Sequence, residues 1–237
     1  MELRCATFNV LADEYLGYGD YSHVDPELLV RGARTSALVQ LIDDLNVDVV
    51  GLQEAEAPLV QALDETSKWQ PFWSPKGRNK TDGCLTLVRN GIEVNDFETH
   101  LYGDQSGHVM QTVRIGRTIF ANTHIKWAPD DDLNHAGVTQ ATELLDRLGR
   151  DRAAVIFADC NDRPNGPVRR LVEAAGFVNV CGDEPTAIVD KQLAAFDLLA
   201  VRGVTATYID TAYNPSEIPS KDCPSDHIPE LALVDIK

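Results

Sequence analysis

The chain has 237 residues, of which 43% are hydrophobic and 24% charged. That balance suits a folded protein with a sizeable core and excludes whole-chain disorder. With 21 basic against 37 acidic residues the net charge is −16, which argues against a long basic stripe for gripping nucleic acid and suits sites that hold divalent cations. A nucleotide whose charge is neutralised locally by a metal stays compatible with that field.

No stretch nears the roughly 18–20 consecutive apolar residues of a membrane span. The start, Met1 to Thr7, lacks a basic segment followed by an apolar run, so no secretory leader and no membrane partner are expected. Cys5, Cys84, Cys160, Cys181 and Cys223 are widely spaced and odd in number. They read as reduced thiols in a cytoplasmic protein, not as a disulfide frame or a zinc site.

In chain order, residues 3–11 read as a buried strand and residues 13–25 as a polar loop. Pro26 sits where a helix could start, with Leu29, Ala33, Ala37, Leu38, Leu41, Ile42 and Leu45 at helical spacing. Residues 48–52 form an apolar strand ending in Gln53 and Glu54, and residues 58–63 a short helix. Strands follow at 85–88, 92–97, 109–115 and 118–125, broken by Gly and Asn turns. A long helix is predicted from about residue 132 to 148, then a strand at 153–158 that ends in Asp159. Residues 167–175 read as helix and 177–180, 196–201, 205–210 and 230–236 as strands, with a polar loop at 213–225. There is no internal repeat and no linker, so residues 1–237 are expected to form a single α/β domain with mixed sheets.

Chemically capable side chains fall in or at the ends of apolar strands, which is how α/β folds commonly build sites. Asp159 and Asn161 would share a face if the backbone stays extended, giving a hard oxygen site for Mg²⁺ or a water nucleophile; the alternative is an Asx turn after a strand. Glu54 could ligate a metal, or cap the helix that follows. His124 could donate to a phosphate oxygen, or be a packed histidine satisfied by backbone. Asp226 and His227 could serve one site only if the chain bends between them; otherwise they are a loop acid and an exposed histidine. Asp197, inside an apolar strand, needs a partner, and a histidine is a natural one.

Their order along the chain is more telling than any one of them. Thr7-Phe8-Asn9-Val10-Leu11, Leu52-Gln53-Glu54, Asn122-Thr123-His124, Ala158-Asp159-Cys160-Asn161, Phe196-Asp197-Leu198 and Ser225-Asp226-His227 together resemble the endonuclease/exonuclease/phosphatase superfamily over nearly the whole chain. Residues 7–13 and 122–129 look most like its deadenylase, nocturnin and Angel branch. The resemblance implies a four-layer α/β sandwich, with two central mixed β-sheets flanked by helices. It implies a Mg²⁺-dependent hydrolase, with Mn²⁺ as a substitute, that cleaves phosphodiester or phosphate-ester bonds on RNA ends or nucleotides by in-line attack of water.

Position by position, the resemblance makes Glu54 the main metal ligand, with Asp226 and Asn9 near the metal and Asn9 also near the phosphate. Asp159 would orient or deprotonate the water and Asn161 would help hold it. His227 would contact the scissile phosphate, oriented by Asp197, and His124 would stabilise phosphoryl oxygens. Lys126, Trp127 and the loop near Arg78 are candidate contacts to phosphate and base. Two departures stand out: Ala158 precedes Asp159 where the family has Gly, and Cys160 replaces a Phe. No stable protein partner is expected. Other expectations remain: an abasic-site or DNA nuclease, a lipid or sugar phosphatase, or a non-catalytic binder of nucleotides or proteins.

Overall fold

Side chains alternate across the first strand, β1 (Glu2–Asn9), and the alternation sets the layering. Leu3 and Cys5 enter one apolar cluster, while Ala6 and Phe8 enter another on the opposite face. The computed structural model describes residues 1–129, 132, 135–150 and 152–236.

The first sheet runs β13–β14–β1–β2–β4–β3 and the second β5–β6–β7–β8–β12–β9. The members are β2 (Val49–Glu56), β3 (Trp69–Pro75), β4 (Asp82–Arg89), β5 (Asp96–Leu101), β6 (Val109–Ile115) and β7 (Thr118–His124). They continue with β8 (Ala154–Asp159), β9 (Val178–Asn179), β12 (Asp197–Arg202), β13 (Thr205–Ile209) and β14 (Glu230–Asp235). A separate hairpin joins β10 (Ala187–Val189) to β11 (Gln192–Ala194).

The sheets meet face to face through Val49, Val113, Phe120, Val155, Phe157, Leu199 and Val234. Gly51 lets them approach, because a Cβ there would lie 2.6 Å from Cβ of Phe157. Helices α1 (Thr35–Asp44) and α2 (Ala57–Glu65) cover the first sheet through Leu38, Leu41, Ile42, Leu59 and Leu63. Helices α3 (Ala136–Leu148) and α4 (Pro167–Ala174) cover the second through Ala141, Leu144, Val168 and Val172. This is the expected four-layer sandwich.

Each sheet holds one parallel pair, β1–β2 and β7–β8, among otherwise antiparallel neighbours. A parallel pair needs a crossover; α1 supplies the first and α3 the second. The carboxyl ends of all four strands therefore lie at one edge of the sandwich and carry Asn9, Glu54 near the end of β2, His124 and Asp159.

Several boundaries differ from the sequence reading. Residues 26–29 form only a 3₁₀ turn capped by Asp25, and α1 begins after Gly32, whose φ is +79°. The expected start of α3 near residue 132 falls partly outside the described residues. The strand predicted at 92–97 lies at Asp96–Leu101. Sequence reading missed β3 because it contains Pro71 and Pro75, which a central strand does not tolerate; β3 is an edge strand. The hairpin was missed because its strands have three residues each and only pair with each other and with the loop at His227.

Candidate active site

Toward the carboxyl ends of the parallel pairs the layer between the sheets turns from apolar to polar. Gln53 donates to Thr7 Oγ1 (3.1 Å) and Asn122 Oδ1 (2.9 Å), and Asn122 donates to the Leu52 and Leu85 carbonyls. Thr86 donates to Gln111, which donates to Ser74. These hydrogen bonds form the floor of the site, with Gln53 Oε1 buried and without a hydrogen-bond partner among the described residues.

Glu54 owes its direction to an irregular β2. The register with β4 slips between Leu52 and Ala55, and Glu54 has φ +59°. A bulge re-aims a side chain in this way, and a left-handed non-glycine residue at such a point is a mark of a functional position. The expected capping alternative fails, since α2 has no side-chain cap and its N-cap residue is Glu56. Glu54 instead accepts from Asn9 Nδ2 (3.1 Å) and Ala12 N (2.9 Å).

Asn9 Nδ2 also donates to Asp159 Oδ2 at 2.8 Å, and its Oδ1 accepts from Leu11 N at 2.9 Å. The amide thus presents its nitrogen to the two carboxylates and bridges them.

At Asp159 the chain does not stay extended. Asn161 has φ +46° and donates its backbone N–H to Asp159 Oδ1 (2.9 Å). The Asx turn weighed as the alternative is therefore present, and it is what aims the site. It leaves Asp159 Oδ2 toward the cavity and sends Asn161 Nδ2 to His124 Nε2 (2.8 Å) and the Ile125 carbonyl (3.0 Å). His124 Nδ1 lies 3.7 Å from Glu54 Oε1 and 3.4 Å from Lys76 Nζ.

The Ser225–His227 segment bends as required. Ser225 Oγ donates to the Asn9 carbonyl (2.7 Å) and accepts from His227 N (3.2 Å). The hairpin strand β10 holds the segment from the other side, through Ile188 N to Asp226 O and Ile228 N to Thr186 O. His227 Nδ1 meets Asp197 Oδ2 at 2.8 Å, and its Nε2 lies 3.7 Å from Asp159 Oδ2. Asp226 accepts from Tyr21 OH at 2.8 Å.

Burial shifts these groups unequally. Burial pushes Glu54 up to about 7, with Lys76 opposing and Asp226 adding to the rise. Burial likewise raises Asp159 to about 6, against the pull of His227 and its hydrogen bonds. Burial, then Lys76, hold His124 well below the usual imidazole range, so it is neutral. Burial alone would do the same to His227, but Asp197 and then Asp159 outweigh it and keep that ring an imidazolium. The site thus pairs a neutral with a charged histidine on either side of one carboxylate.

Among the described residues, Glu54, His124 and Asp159 form a donor cluster compact enough for a metal ion, with ligand atoms within 4.8 Å of one another. Two buried carboxylates whose charge nothing nearby fully neutralises fit a hard divalent cation. Asp226 lies outside that cluster. The cavity above it encloses about 810 Å³ and is lined by these residues together with Asn161, Asp226, His227, Trp127, Arg163 and Phe196. Trp127 is exposed at its mouth, whereas Lys126 and Arg78 are surface residues that do not line it.

Sequence reasoning missed Lys76. Its Nζ is buried 2.6 Å from Asp82 Oδ2 and 3.4 Å from His124 Nδ1, while Tyr15 OH donates to Asp82 Oδ1. The only signal was the basic group Lys76, Arg78, Lys80 shortly before an acid at the start of the next strand. Lys76→Met leaves the Asp82 carboxylate buried without a cation, so a loss of about 3–5 kcal/mol in chemical denaturation is expected. A loss under 1 kcal/mol would show that Tyr15 alone suffices.

Residues 6–227 match the Endonuclease/Exonuclease/phosphatase family. The chain belongs to that family of phosphoester hydrolases. Among curated proteins it is similar to carbon catabolite repressor protein 4 homolog 4 of Arabidopsis thaliana, 23% identical over 86% of this chain, and spans 62% of that relative's length. Among solved structures it is similar to ANGEL2, a 2′,3′-cyclic phosphatase (TM-score 0.83, 14% identity, 99% of this chain and 95% of that one). It is also similar to the human Nocturnin catalytic domain with bound sulfate (TM-score 0.73, 16% identity, 100% and 94%).

Proposed function

We propose that this protein is a Mg²⁺-dependent hydrolase, with Mn²⁺ as a substitute, acting on phosphodiester or phosphate-ester bonds of RNA ends or nucleotides. The observation that carries the reading is the convergence on Asp159. Asn9 Nδ2 reaches Asp159 Oδ2 at 2.8 Å, and His124 and His227 flank the same oxygen at 3.6 and 3.7 Å. That leaves one oxygen where a water and a phosphoryl group could meet.

Glu54, with Asp226, Asn9 or His124 beside it, would hold the cation, which when bound neutralises phosphate charge and polarises the ester. Asp159, near 6 and ionised at neutral pH, is basic enough to take the proton of an attacking water. Asn161 holds the turn that aims it. The His227 imidazolium donates from Nε2 to a phosphoryl oxygen, and Asp197 fixes the orientation and charge of the ring from Nδ1. His124, Asn9 and Lys76, all buried, add fixed polarity, and preorganised groups of this kind are a large part of catalysis.

A cavity of about 810 Å³ admits a ligand of mononucleotide size. With a net charge of −16, this favours a nucleotide or a short RNA end over long duplex DNA. ANGEL2's activity on 2′,3′-cyclic phosphates makes that terminus one arm of the test. Trp127 supplies a stacking face for an unpaired base and Lys126 a cation near the mouth. Five cysteines without a disulfide go with a reducing, cytoplasmic setting.

The deciding experiment is a panel of RNA, DNA, 2′,3′-cyclic phosphate, nucleotide and phospholipid substrates with Mg²⁺, Mn²⁺ or EDTA, alongside Asp159→Ala. Metal-stimulated hydrolysis of an RNA or nucleotide substrate, lost in the variant, is expected; no such hydrolysis anywhere on the panel would overturn the reading. On the preferred substrate, Trp127→Ala is expected to raise KM by about 5- to 100-fold with kcat little changed, as loss of one base stack implies. An unchanged KM would remove Trp127 from the binding surface.

A further inference from the structure

One buried cation near the site has no part in the chemistry described above. Arg169, on the first turn of α4, is 2% exposed. Its Nη2 donates to the Ala195 carbonyl at 2.7 Å and to the Asp197 carbonyl at 2.9 Å. These carbonyls bracket Phe196, which lines the cavity, and Asp197 is the residue whose carboxylate meets His227 Nδ1 at 2.8 Å. Nη1 lies 4.0 Å from the exposed Asp183 carboxylate at the cavity rim.

Arg169 is itself fixed from the other half of the site. The Asp162 carboxylate accepts from the backbone N–H groups of Val168 (2.8 Å) and Arg169 (3.0 Å), so it caps α4 one residue beyond Asn161. Gly166 makes room for that carboxylate, since a Cβ there would lie 1.7 Å from Asp162 Oδ1. The end of β8 and the start of β12 are joined again by Cys160 N donating to the Phe196 carbonyl at 2.9 Å. A continuous set of contacts thus runs from Asp159 through Asp162 and Arg169 to Asp197 and His227.

The surroundings hold more charge than a packing role requires. Arg169 Nε and Nη1, Asp197 Oδ1 and Glu230 Oε2 are buried and lack a hydrogen-bond partner among the described residues. Burial pushes Glu230 up to about 7, with Asp197 adding and Arg169 opposing, so the three charges feel one another. An apolar side chain would fill the space of Arg169 without burying unpaired guanidinium nitrogens, although it would leave the Glu230 carboxylate without its nearby cation.

We infer that Arg169 is a positioning residue for the hydrolysis: by clasping the carbonyls of Ala195 and Asp197 it holds the Asp197 carboxylate in line with His227 Nδ1. The inference rests on the role given to His227 under the proposed function, and its test includes a measurement that needs no substrate. Arg169→Met alone could fail to fold, because it leaves the buried Glu230 carboxylate without a nearby cation. The double variant Arg169→Met, Glu230→Gln removes that problem, and Arg169→Lys restores a cation with a different reach.

Three quantities decide it: the melting temperature, kcat and KM on whichever panel substrate the wild type cleaves, and the low-field proton NMR signal of the His227–Asp197 hydrogen bond, assigned by its loss in Asp197→Asn. The double variant is expected to melt within a few degrees of wild type and keep KM within about twofold. It should lose about 10- to 100-fold in kcat, as for other orienting partners, and shift or lose the low-field signal; Arg169→Lys should recover part of both. Wild-type kcat together with an unchanged low-field signal in the double variant would overturn the inference and leave the proposed function standing. If the wild type cleaves nothing on the panel, the proposed function falls, and an unchanged signal still overturns the positioning by Arg169.

Discussion

Asp159→Asn is expected to lower turnover by about 10²–10⁴-fold, the span usual for losing a positioned general base, with KM changing little. The substitution keeps the size of the side chain and its Oδ1, so the turn made by Asn161 N at 2.9 Å survives. It removes the one oxygen on which Asn9, His124 and His227 converge. It also places an amide nitrogen or an uncharged oxygen opposite Asn9 Nδ2. A far-UV spectrum and melting temperature like those of wild type, with hydrolysis nearly gone, would assign the loss to chemistry. Near-normal turnover would show that another group takes the proton.

Glu54→Gln is expected to abolish the response to divalent cations, with hydrolysis reduced by about 10²–10³-fold as for loss of one main electrostatic group. Its stability effect has the opposite sign. Glu54 stands at about 7 in the folded protein against 4.5 as a free side chain, so in that window the folded state holds more protons than the unfolded one. Stability of the metal-free protein therefore falls as pH rises from about 4.5 to 7, by roughly 3 kcal/mol for a shift of this size. Asp159, raised from 3.8 to about 6, adds a loss of the same sign at slightly lower pH. Mg²⁺ should reverse the loss by binding the ionised carboxylates. Melting temperatures in EDTA and in Mg²⁺ at pH 5 and pH 8 test this directly. The expected pattern is a metal-induced rise in wild type that is larger at pH 8, and a Gln variant that in EDTA at pH 8 is more stable than wild type. A wild type that melts at the same temperature with and without metal at both pH values would remove Glu54 from the metal site.

Much of the fold was legible because its core strands are short and almost wholly apolar. Residues 49–52 and 153–158 carry no polar side chain at all, as suits strands that bury both faces. The edges were not legible. β3 contains two prolines, and β5 carries Asp96, Glu98 and His100 on an exposed border; at an edge neither backbone pairing nor burial disciplines the sequence.

What the sequence by itself determined was the set of groups and their order: Asn9, Glu54, His124, Asp159, Asn161, Asp197, Asp226 and His227, each beside an apolar strand. Tertiary structure alone decided their directions and charges. The bulge that turns Glu54 inward and the Asx turn at Asn161 are backbone irregularities, which side-chain alternation does not encode. Which histidine is neutral depends on neighbours from other strands: Lys76 beside His124, and Asp197 beside His227. Nothing in the sequence around Lys76 or Arg169 marks them as buried, because burial is a property of the packed layers and not of the residue.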